Sequence, residues 1–378
     1  MGKSLNNVQK KFLLLLMYYH AFLSLVYYLY ALNNPSDSKQ YYRKIILDYR
    51  GAEWSDYYGV STTFIEWIGF PFIKYLNFSY EACMVLFSFF GFLGFVFFYM
   101  FMSWRIKTEP KMYGIGLLNL VFLLPNLHFW SGSFGKGSII FMAIGLYFFG
   151  LNRPANRWIQ ILIGGLIIYH VRPHVMFVIL ISTFLGFIFS AKDVRWTTRV
   201  AVLVVSGVAF FYIYNDVLLL VGIEQGDELI EGLDLTSRID DLSKATSGVD
   251  ISNYSFPMLM FTFLYRPLFF DAPGLLGIIV SFENILLLLI TIQFLFSGGL
   301  KYLFKGDYMV KSAFFSFITV SIALAQISAN LGLAIRQKSQ VMLLFLFVIV
   351  EFFDSRNQAR IRSIRFKNQR LKNQLINR

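Results

Sequence analysis

ACMVLFSFFGFLGFVFFYMFMS, residues 82–103, is a run of 22 residues without one charged side chain. A helix rises 1.5 Å per residue, so a run of this length is what crossing roughly 30 Å of hydrocarbon requires. The run reads as a membrane span. Outward from it, similar apolar runs recur near 12–32, 112–127, 138–151, 158–170, 175–190, 200–221, 274–297, 312–330 and 340–353. The whole chain of 378 residues is 57% hydrophobic and 15% charged, against about 25% charged residues in soluble domains. The expected fold is all-α: a polytopic integral membrane protein of about ten transmembrane helices. Residues 1–353 form one membrane domain and 354–378 a basic tail.

Orientation follows from lysine and arginine, which accumulate in cytoplasmic loops. With both termini cytoplasmic, 22 of the 34 basic residues fall on the inner side, and the outer side is net acidic. The net charge of +12 is then an orientation signal, which removes the case for a nucleic-acid partner. The tail can lie on anionic membrane lipids or act as a solvated topology anchor. The first span is too long for a cleaved signal segment and is expected to stay as an anchor. A single cysteine, Cys83, excludes an intrachain disulfide, and the four histidines form no HExxH pattern, so no metal site is expected.

Two outer loops, 33–81 and 222–257, are longer than a connection needs, and long loops are commonly functional. The stretch LPNLHFWSGSFGKGS, residues 124–138, forms an outer turn between the third and fourth spans. On the same face the topology places Asp37, His128, Lys136, His170, Arg172, His174, Arg238, Arg266, Arg336 and Lys338. Basic residues on that face oppose the positive-inside trend, and a shared anionic ligand accounts for several at once. Arginine forks suit phosphate oxygens, and lysine adds a compact charge. SGSFGKGS does not match the P-loop spacing, which argues against a nucleoside triphosphate.

Arg172, Arg266, Arg336, Lys136 and Lys338 are the candidates to hold phosphate, with His170, His174 and Arg238 as further substrate contacts. Asp37 is the candidate general base, or else the cap of a helix beginning at Ser38. His128 is either a second catalytic group or a histidine bonded to a neighbouring helix, and Glu283 is a charge inside the eighth span.

Asp37 directly after the first span, the long amphipathic first loop, LPNLHFWSGSFGK and the late AIRQKSQVMLLFL resemble bacterial envelope-polysaccharide membrane proteins. These lie near the EpsG-like and Wzy-like polymerases and the GT-C glycosyltransferases. The resemblance implies a polyprenyl-(pyro)phosphate-linked saccharide as substrate, used at the periplasmic face of the bacterial inner membrane. It also implies a catalytic acid in the first outer loop, at Asp37, and arginines on two outer loops, at Arg172 and at Arg238 or Arg266. Partners would be membrane lipids and other polysaccharide assembly proteins; no cofactor is fixed, though the carboxylates leave room for a divalent metal. Two departures stand out: Asp37 is alone where GT-C enzymes often pair acids, and Gly137 follows Lys136 where relatives often carry an acid. Repeat-unit polymerisation and single-sugar transfer both stay open. So do two rivals: a membrane O-acyltransferase using His128 or His170, and a transporter without chemistry.

Overall fold

A computed structural model of the chain describes residues 5–376, except 113, 191–195, 198–199, 202–203, 205–206, 209–247, 250, 252, 273 and 327–329. Helix dominates it. The first helix, α1 (Asn7–Asn33), starts five residues earlier than expected because Asn6 and Gln9 form a capping box, with Gln9 N–H donating to Asn6 Oδ1 at 2.8 Å. The long first loop is itself folded. Helix α2 (Asp37–Ile46) leads through residues 47–61, which include a 3-10 turn at Trp54–Tyr57, to α3 (Thr62–Phe70), which buries Phe64, Ile65, Glu66 and Phe70 and packs against α2 and a later helix, Trp158–Val171. Beyond Pro71 the chain continues as one π turn to Tyr75, consistent with the hydrogen bond a proline cannot donate.

The 82–103 run lies within α4 (Tyr80–Arg105), as expected. The expected third span is broken. A two-stranded hairpin pairs Lys111–Met112 (β1) with Ile115–Gly116 (β2), and α5 (Leu117–Phe122) then stops after six residues. Pro125 forces an extended Leu124 (φ −66°, ψ 116°) and starts α6 (Pro125–Ser131). His128 and Trp130 therefore lie on a helix and not in an outer turn.

Helices α7 (Lys136–Leu151), α8 (Trp158–Val171) and α9 (Pro173–Phe189) follow. Next come α10 (Phe256–Tyr265), α11 (Gly274–Phe296), α12 (Gly299–Lys305) and α13 (Tyr308–Ala325). The expected span 200–221 lies mostly outside the described residues. The final helix, α14 (Leu331–Ile376), is a single 46-residue rod, so the last span and the basic tail are one element. Five helices, α1, α4, α11, α13 and α14, are long and apolar enough to cross a membrane, and several shorter apolar helices accompany them. The described residues are almost all helical, an all-α fold, and the chain is a multi-pass membrane protein.

Without a water-driven force between helices in lipid, association rests on close packing, which small residues permit. Helices α4 and α7 meet this way at Gly94 and Gly145: a Cβ on Gly145 would stand 2.9 Å from the Gly94 carbonyl oxygen. At Gly91 the approach is closer still, since a Cβ there would lie 1.9 Å from the Ser131 carbonyl oxygen at the end of α6. Helix α14 runs through the middle of this packing, with every side chain from Gln337 to Val350 buried. Gly91→Ala is expected to lower stability by about 1–3 kcal/mol through overpacking, read as a lower melting temperature in detergent. An unchanged melt would contradict the close α4–α6 contact.

Candidate functional site

The polar groups expected to converge do so in part. Residue 172 precedes a proline, which disfavours helical geometry there. The chain breaks at Arg172 (φ −152°, ψ 87°), ending α8 and starting α9 at Pro173. The arginine is turned inward: it is 8% exposed, and its guanidinium has no hydrogen-bond or ion-pair partner among the described residues. Burial, then the neighbouring Arg336 charge, pull it down from its ordinary value to about 10, so it remains a cation at neutral pH. A buried charge without a counter-ion is costly, and an anionic ligand would relieve that cost.

Three groups surround Arg172 within electrostatic range. Arg336 and Asp37 act on it directly, and Lys136 feels Arg172, Arg336 and Asp37 together. Arg336 donates from Nη1 to Asp37 Oδ2 at 2.6 Å, and that aspartate side chain is 47% exposed. The carboxylate thus reaches across to α14 and caps nothing: the N-cap of α2 is Ser36, which makes no capping bond. Lys136, at the start of α7, donates from Nζ to Ser61 Oγ at 2.8 Å. Ser61 holds a left-handed φ of 66°, uncommon for a residue with a side chain. Its N–H donates to the His170 carbonyl oxygen at 2.6 Å, which fixes the first loop to the end of α8.

Two groups without an assigned role in the sequence complete the surroundings. Tyr41, 5% exposed, lies in range of Asp37 and Arg336, and burial followed by the Asp37 charge pushes its phenol up, keeping it neutral. Glu66 is fully buried, takes the Arg50 guanidinium at 2.5 Å, and has Lys44 at 3.7 Å. Glu66, engaged by those two cations, also acts on Lys136, so Arg172, Arg336, Lys136, Arg50 and Lys44 share two carboxylates, Asp37 and Glu66. Cations are in excess. Alternating Lys, Arg and Tyr in KQYYRK signalled a charged outer face, but Glu66 in FIEW carried no signal beyond its isolation in an apolar segment.

The other expected residues lie elsewhere. Lys338 is 1% exposed and donates to Asn284 Oδ1 at 2.6 Å and to the Leu264 carbonyl at 2.8 Å, inside the bundle. Two residues along a helix turn about 200°, so Lys338 cannot share the Arg336 face. Arg266 is neutralised locally by Asp271 and also donates to the Tyr254 hydroxyl at 3.2 Å. His128 is fully buried, with both ring nitrogens engaged, by His20 and by the Phe122 carbonyl; it cannot meet a substrate as placed. His170 bonds Tyr58 and the Leu166 carbonyl beside the Ser61 link. His174 lies half-buried in the first turn of α9, and Arg238 falls outside the described residues. Among the described residues, no group of three His, Cys, Asp or Glu side chains could hold a metal ion.

Glu66→Gln is expected to destabilise the first loop, by on the order of 2 kcal/mol. That is below the about 3–5 kcal/mol of a fully buried pair, because Arg50 and Lys44 are about 29% and 33% exposed and so partly screened. Protease cleavage within residues 47–61 at an unaltered rate would contradict this. In comparisons with known proteins, no family model, characterised protein or solved structure matches the chain.

Proposed function

We propose that the protein is a membrane glycosyltransferase or repeat-unit polymerase acting on a polyprenyl-(pyro)phosphate-linked saccharide. The observation that carries this reading is Arg172, buried without a counter-ion beside Arg336 and Lys136. In this reading the chain crosses the bacterial inner membrane about ten times with both ends cytoplasmic, and the Asp37 end of the bundle faces the periplasm. A phosphate there lies at headgroup height, where a lipid-linked donor presents it.

The chemistry follows from the charge imbalance. Arg172 and Arg336 offer planar forks to phosphate oxygens, and Lys136 adds a third cation. Arg336 is held by Asp37, and a phosphate drawing the guanidinium away would release the carboxylate. The freed Asp37 accepts the proton of the acceptor hydroxyl as its oxygen bonds the anomeric carbon. The bond from that carbon to the lipid phosphate breaks, and the cations neutralise the charge building on the leaving group. Tyr41, kept neutral, would donate a hydrogen bond to the same anion.

The direct test supplies purified protein with polyprenyl-linked oligosaccharide and measures longer glycan and released lipid phosphate. Arg172→Ala is expected to lower turnover about 10²–10³-fold, the loss typical of removing a donor to developing negative charge. Arg172→Lys recovers only part, since a single ammonium lacks the fork. Asp37→Asn is expected to lower kcat with little change in KM, as loss of a general base does. Undiminished turnover in both Asp37→Ala and Arg172→Ala would overturn the assignment.

A further inference from the structure

Away from that site, two buried histidines pose a question of proton counting. His20 on α1 and His128 on α6 approach with Nδ1 to Nδ1 at 3.0 Å. The other nitrogen of each ring meets a backbone carbonyl: His20 Nε2 is 3.0 Å from the Ser88 oxygen on α4, and His128 Nε2 is 2.7 Å from the Phe122 oxygen on α5. A carbonyl oxygen only accepts, so both Nε2 atoms carry hydrogen. A neutral imidazole has one N–H and one lone pair. Two neutral rings in this arrangement would therefore face each other with lone pairs at 3.0 Å, which is repulsive. One further proton turns the contact into an N–H···N hydrogen bond.

The surroundings suit the extra charge. His20 is 2% exposed and His128 fully buried, so water does not complete the bonding. Phe95 lies parallel to the His128 ring at 3.9 Å and 6°, and meets the His20 ring at 5.4 Å and 60°. Tyr19 stands edge-on to His128 at 4.8 Å, and Phe92 lies 6.1 Å from His20. Aromatic faces attract a desolvated cation.

The ionisable neighbours can be named element by element. Helix α1 supplies Tyr19, whose hydroxyl is already committed to the Leu123 carbonyl, and α4 presents only Ser88, Phe92 and Phe95. From α11, Glu283 Oε2 accepts the Asn126 N–H at 2.8 Å, two residues before His128. Lys338 on α14 lies in electrostatic range of that glutamate.

We infer that His20 and His128 form a buried one-proton site, an imidazole and an imidazolium sharing a proton between their Nδ1 atoms. The site joins α1, α4, α5 and α6 through three hydrogen bonds. It is independent of the saccharide reading, because neither ring reaches the Arg172 cluster. It also gives His128 a purpose that catalysis does not.

Nitrogen-15 spectroscopy of histidine-labelled protein tests this without any assay of activity. A His170→Gln, His174→Gln variant leaves His20 and His128 as the only histidines of the four in the chain. At neutral pH the expected spectrum has three protonated ring nitrogens of four and a correlation across the hydrogen bond between the two Nδ1 atoms. Two protonated nitrogens, the neutral pair, would overturn the inference, and so would four, which leaves no proton to share. Should the variant not fold, wild-type protein serves, because the cross-bond Nδ1 correlation is expected from this pair and its absence is equally decisive.

Discussion

The ion pair between Asp37 and Arg336 joins residues 299 positions apart and holds the first loop onto the last helix. Its consequences reach the rest of the site. Asp37 opens α2, and the docking of α2 brings Tyr41 and, through α3, Ser61 to the cluster. Arg336 is fixed by α14, whose buried middle leaves it no freedom to slide. The pair is partly exposed, so its own stabilisation is modest. Its importance lies in geometry, because it brings an exchangeable carboxylate to a place where cations are in excess.

The opposite end of the bundle shows what a satisfied arginine looks like in this chain. Arg105, at the end of α4, donates to Glu351 at 2.9 Å and to Asp307 at 2.7 Å, two carboxylates for one guanidinium. Asp354 there accepts the Lys107 and Thr108 amides at 3.1 and 2.6 Å, closing the segment after α4 against α14. Charges are matched at that end and unmatched around Arg172. The Arg105 end obeys the rule that polar groups in lipid find partners inside the protein. The exception around Arg172 is therefore informative.

Much of this was legible from local pattern. Uncharged runs located the long helices, and the gap between the runs 158–170 and 175–190 located the break at Arg172; the expected span 112–127 ran through Pro125, and the last run was expected to end at 353 although no proline or glycine follows Gly332. What escaped was set by partners distant in sequence or by helical phase. His128 is taken out of reach of substrate by His20, 108 residues away. Lys338 looks like a companion of Arg336 in AIRQKSQ, yet the helix turns it to the opposite face and into the bundle. Arg266 had its counter-ion five residues on, in FFDAP, but only a folded turn shows that Asp271 reaches back.

Long basic side chains near helix ends ordinarily snorkel, laying an apolar stem along the protein and extending the charge to headgroup phosphate. That explanation requires an accessible guanidinium. Arg336, with a side chain 30% exposed, meets it; Arg172, a residue 8% exposed overall, meets it far less readily. Nor does Arg172 recover the lost hydration from a carboxylate, as Arg105 does at the other end. Tyr41, the polar group acting on it together with Asp37, is a neutral phenol and so offsets none of the charge. A guanidinium held this way, two cations beside it and one carboxylate already engaged, is the arrangement that the proposed anionic substrate would complete.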